Sequence, residues 1–132
     1  MKIGNGEESI TIIKRSRLKY PRLSFESMKE DVLGEDYSLS LVFIGDRTSQ
    51  RLNQEYRGVS KPASVLSFPL SEQEGEIFIN LRKARDESHR FNMNFKRFVA
   101  YLFIHGMLHL KGMRHGCTME EEEKRLLKEL VS

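Results

Sequence analysis

The sequence predicts an α+β fold: a small mixed β-sheet of about four strands, packed with helices around one buried central helix. Three observations lead there. The stretch that begins Phe98-Val99-Ala100-Tyr101-Leu102-Phe103-Ile104 is almost uniformly apolar, and a helix apolar around most of its circumference belongs inside a domain. It is too short and too interrupted to span a bilayer. Elsewhere, short β-branched and apolar runs bounded by turn residues read as strands, and segments with helical spacing lie between them.

With 132 residues there is room for one domain, 1–132, with one core of ordinary size. The chain is 39% hydrophobic and 31% charged, the composition of a globular protein and not of a disordered or fibrous one. A net charge of +3 permits an anionic partner without demanding one. The single Cys117 excludes an internal disulfide. Together with the lack of a charged-then-apolar leader, it points to the reducing cytoplasm, and no membrane association is expected.

Taken in order, Ser9 to Ile13 read as a first strand. The basic run Lys14, Arg15, Arg17, Lys19 and Arg22 follows, a solvated surface or a contact for phosphate backbone. Phe25, Met28, Lys29, Val32 and Leu33 repeat at helical spacing, with Ser24 as N-cap and Gly34 as stop. Ser38 to Ile44 form a second strand. Asp46 is placed to cap a helix running to about Arg57, with Leu52 and Tyr56 on its buried face. Val65 to Leu70 and Gly75 to Leu81 read as an antiparallel hairpin. From Arg82 to Arg97 a cation-rich segment is interleaved with Phe91 and Phe95, expected in the core, while His89 is expected at the surface. Thr118 and Glu121 have capping-box spacing and open a terminal helix whose Glu120 to Glu123 cluster reads as solvated.

The chemistry concentrates at the end of the central helix. His105 and His109 are four residues apart, so on a helix both project from one face. Gly112 suits a helix-ending residue with positive φ, after which His115 can return as a third ligand. A lone histidine on an apolar face is commonly a satisfied core residue, but several adjacent buried imidazoles are costly unless something binds them. His105, His109 and His115 therefore form a candidate three-histidine metal site, a kind that leaves a fourth position open. The spacing H-x-x-x-H-x-x-G-x-x-H resembles the zinc signature of metzincin proteases, yet Gly106 stands where those enzymes carry their glutamate base.

A closer resemblance is to the YbeY family of metal-dependent endoribonucleases, described as ribosomal RNA maturation factors. Its signature H-G-x-L-H-L-x-G-x-D-H is matched by His105-Gly106-Met107-Leu108-His109-Leu110-Lys111-Gly112-Met113-Arg114-His115, with Arg114 replacing the aspartate. L-N-x-x-Y-R-G appears as Leu52-Asn53-Gln54-Glu55-Tyr56-Arg57-Gly58. P-T-D-V-L-S-F-P appears as Pro62-Ala63-Ser64-Val65-Leu66-Ser67-Phe68-Pro69, and G-D-I as Gly75-Glu76-Ile77. Arg57, read by spacing alone, is either a C-terminal helix residue favoured by the dipole or a guanidinium fork for a phosphodiester. The resemblance implies the second.

It also implies a Zn²⁺ ion on the three histidines, RNA as substrate, and action in small-subunit ribosomal RNA 3′-end maturation and ribosome quality control. Ribosomal small-subunit proteins and a ribosome-assembly GTPase are the implied partners. Ser67 and Glu76 are candidate substrate-binding residues, and no general base is evident. The alternative from another class is a ribosome-associated binding protein whose metal is structural, the Cys117 thiolate closing the fourth position.

Overall fold

The β-branched runs come together as one sheet. In the computed structural model, which describes residues 9–131, β1 (Ile10–Lys14), β2 (Ser38–Ile44), β3 (Val65–Ser71) and β4 (Glu74–Asn80) lie in the order β1-β2-β4-β3. β1 pairs β2 and β2 pairs β4 in parallel, whereas β3 runs antiparallel to β4. Parallel neighbours need crossovers: α1 (Phe25–Leu33) connects β1 to β2, and α2 (Asp46–Arg57) follows β2. The hairpin leaves β3 as an edge strand, with a register irregularity between Pro69 and Ser71. That exposed edge frames the site described below.

Alternation along the strands sorts the two faces. Leu41 and Phe43 of β2 register with Ile77 and Ile79 of β4, and all four are buried beneath α4 (Phe95–Leu110). Leu102, Phe103, Ile104, Met107 and Leu108 are among the buried residues of α4, as its apolar circumference predicts. α1 packs beside it, with Phe25 edge-on to Phe103 at 5.2 Å between centroids. α3 (Leu81–Arg90) and α5 (Cys117–Leu130) complete the layer around the helix. Each large apolar side chain so buried is worth about 1.5–3 kcal/mol. On the opposite side of the β3-β4 hairpin, Phe68 and Phe78 pack edge-on and Tyr56 of α2 reaches Phe68.

Several local expectations are corrected. Asp46 is the first residue of α2 and not its cap; its Oδ1 accepts from Asn80 Nδ2 at 2.8 Å. The buried residues of α2 are Ser49 and Asn53, while Tyr56 is 63% exposed, so this helix docks by hydrogen bonds and not by an apolar stripe. Ser49 Oγ donates to the Ala63 carbonyl and accepts from the Ala63 amide, each at 2.8 Å, and Asn53 Nδ2 donates to the Lys61 carbonyl at 2.8 Å. Ser24 flanks α1 without a side-chain cap, and α5 begins at Cys117 after Gly116, so Thr118 caps nothing. Phe91 is exposed, although it stacks on Phe98.

Candidate metal centre

Asn94 starts α4 by accepting from the Arg97 amide at 2.7 Å, and Gly112 ends it. With φ at +94°, Gly112 allows the pair of reversed hydrogen bonds that closes a helix: its amide donates to His109, and the Met113 amide donates to Leu108. The chain turns back, and His115 comes to face the helix it has just left. Ring centroids lie 4.6 Å apart for His105 and His109, 4.6 Å for His109 and His115, and 5.1 Å for His105 and His115. One nitrogen from each imidazole lies within 4.8 Å of the others.

The donor set fits a metal. Tetrahedral zinc with Zn–N bonds of about 2.0–2.1 Å sets its nitrogens about 3.4 Å apart, and Nε2 of His105 and Nε2 of His109 are 3.2 Å apart. His109 is held below the usual imidazole range, first by burial and then by the neighbouring His105 and His115; a backbone hydrogen bond to Met113 opposes this, and Arg57 adds to it. The net effect favours a neutral, ligating ring. Cys117 is exposed and stands outside the cluster, so the arrangement does not supply the thiolate that would close the fourth position.

One residue of the centre escaped the sequence reading. Glu123 of α5, expected in solvent, is 5% exposed, and its Oε2 contacts His105 Nδ1. A carboxylate there fixes the ring so that Nε2 faces the other imidazoles. The signal was present: Met119, Glu123, Leu126, Leu127 and Leu130 share the inward stripe of α5, so a glutamate occupies a core-facing position. Arg114, in contrast, is exposed beside His115.

Gly106 has a steric reason. A Cβ at this position would lie 2.9 Å from Ser67 Oγ and 3.1 Å from Ile77 Cδ1, because the backbone of α4 packs there directly on these two side chains of the sheet. A glutamate base of the protease kind has no room. Ser67 Oγ donates to the Gly106 carbonyl at 3.0 Å, which ties β3 to α4 and commits the proton expected for substrate.

Arg57 and the three histidines open onto one cleft of about 570 Å³, bordered by Tyr56, Ser67, Phe68 and Pro69. It wraps the β3 edge, with imidazoles arriving from α4 and the guanidinium from the end of α2. The residues lining it include no carboxylate. Glu76 is not among them; it faces an adjoining cavity of about 330 Å³. The arrangement can bind a divalent cation and an anion side by side. No helix among the described residues is long and apolar enough to cross a membrane.

The chain is 30% identical to an Endoribonuclease YbeY of Clostridium botulinum (strain 657 / Type Ba4), covering 96% of this chain and 90% of the relative. It is 35% identical to an Endoribonuclease YbeY of Pelotomaculum thermopropionicum, over 81% of this chain and 76% of that one. The solution structure of TM1509 from Thermotoga maritima superposes with a TM-score of 0.66 at 25% identity, covering 92% of this chain and 88% of the other. A family model described as Endoribonuclease YbeY matches residues 3–131, so that the chain belongs to the YbeY endoribonuclease family.

Proposed function

We propose that this protein is a zinc-dependent endoribonuclease that cuts single-stranded RNA in the cytoplasm, acting in small-subunit ribosomal RNA 3′-end maturation and ribosome quality control. Family membership supports the endoribonuclease activity. Small-subunit ribosomal proteins and a ribosome-assembly GTPase are the partners this reading assigns. The observation that carries it is the meeting of Arg57 with His105, His109 and His115 on one cleft.

In this reading His105, His109 and His115 hold the ion. When bound, zinc supplies Lewis acidity toward a phosphoryl oxygen and lowers the pKa of coordinated water. Arg57, permanently protonated and fork-shaped, binds the scissile phosphodiester bidentately and offsets charge that builds in the transition state. Glu123 keeps the His105 ring turned toward the ion. Ser67 holds the cleft wall through the Gly106 carbonyl. With no carboxylate lining the cleft, these residues position and neutralise charge and abstract no proton.

The test is cleavage of a single-stranded RNA carrying a small-subunit 3′-end sequence by zinc-loaded protein. Chelation abolishes cleavage and zinc restores it. Arg57→Ala slows it by roughly 10²–10³-fold with metal stoichiometry unchanged. An Arg57→Ala protein that cuts like its parent, or cleavage that survives chelation, refutes the reading.

A further inference from the structure

The cavity that Glu76 faces is separate from the metal cleft but shares Tyr56, Phe68 and Pro69 with it. We infer that it is a pocket for one unpaired nucleobase bearing an exocyclic amino group, stacked on Tyr56 and read by Glu76. This rests on the endoribonuclease reading and extends it to base selection.

Four features carry the inference. First, Tyr56 is 63% exposed, and its ring meets Phe68 at 5.2 Å between centroids, with Phe68 edge-on to Phe78 behind it. The cluster is anchored at its base and open at its outer ring. Such an amphipathic face suits stacking with any base. Second, Tyr56 and Arg57 are adjacent at the end of α2, so a nucleotide whose phosphate lies on the guanidinium has its base within reach of the ring. Third, the cavity is apolar apart from one charge: Leu52, Leu70 and Phe78 line it together with Glu76. Fourth, among the described residues no side chain pairs with Glu76, which lies directly across from Phe68 in the β3-β4 ladder. An ionised carboxylate only accepts hydrogen bonds. It therefore favours the exocyclic amine of cytosine, adenine or guanine and opposes the O4 carbonyl of uracil.

Cytosine and uracil isolate the effect, since they are pyrimidines that differ in the group at position four. Binding of fluorescent (rC)5 and (rU)5 to full-length, zinc-loaded protein reads the pocket by polarisation. The protein binds (rC)5 tighter than (rU)5 by about five-fold or more. Glu76→Gln, whose amide can donate to uracil O4, brings the two within about two-fold. Tyr56→Ala weakens both by about ten-fold, and Tyr56→Phe restores them. Equal binding of the two by the parent, a preference that survives Glu76→Gln, an unweakened Tyr56→Ala protein, or no binding of either overturns the pocket. Its failure is distinct from failure of the parent reading. Protein that selects (rC)5 through Glu76 yet cuts no RNA supports the pocket and refutes the nuclease, whereas cleavage with equal affinities does the reverse.

Discussion

Glu123 shows how much one side chain can decide. Its carboxylate is buried against His105 Nδ1, and the His105 Nε2 on the far side of the ring lies 3.2 Å from the corresponding atom of His109. Replacing it by glutamine keeps the shape and removes the charge that polarises the imidazole. Zinc affinity should fall roughly 10–100-fold, the usual effect of losing a partner that orients a ligand. Competition against a chromophoric chelator measures this without reference to catalysis, and unchanged affinity would remove Glu123 from the centre. His109→Ala, which deletes a nitrogen donor outright, should lower bound zinc further. Three imidazoles at recognisable spacing were legible in the chain. The carboxylate behind them was hidden in a run of four glutamates, where only its place on the inward stripe of α5 set it apart.

Among the elements, α4 was the most readable and α2 the least. An almost wholly apolar sixteen-residue helix has one place to go, and its glycine exit is written in the sequence. α2 gave a misleading pattern because Leu52 and Tyr56, four apart, resemble a buried stripe while the helix docks through Ser49 and Asn53. Hydrogen-bonded docking leaves no periodic hydrophobic trace. It also leaves Tyr56 outside, next to Arg57, where an apolar stripe would have buried it. Ser49→Ala should leave both the amide and the carbonyl of Ala63 without their partner. The expected cost is about 1–3 kcal/mol, read as a lower urea midpoint at constant slope. A midpoint equal to that of the parent would show that the loop finds other partners.

For the molecule as a whole, the four strands and the helices α1, α2, α4 and α5 followed from strand runs and helical spacing, whereas α3 stood in the sequence only as part of a cation-rich segment. Strand order did not follow, because the pairing of β2 with β4 joins segments separated by a helix and a whole strand. The cleft follows from that order, since it exists because β3 lies outermost. Global stability should also carry the mark of the centre. His109 is depressed below its ordinary imidazole value by burial, His105, His115 and Arg57. Below about pH 6.5 the unfolded chain therefore binds more protons at this residue than the folded one does. Stability of the chelated protein should fall as the pH drops from 7.5 through 6.5 to 5.5, and His109→Gln should flatten the profile. Urea midpoints at the three pH values decide it; a slope unaffected by the substitution would assign the loss to other groups.

Gly106 has a consequence for how the cleft tolerates change. The helical side offers only backbone there, so the spacing of the two walls is set by the Ser67 hydroxyl, held on the Gly106 carbonyl, and by the Ile77 side chain. A single methyl group at 106 would act as a wedge against that hydroxyl and that side chain, and would break the tie between β3 and α4 at this point.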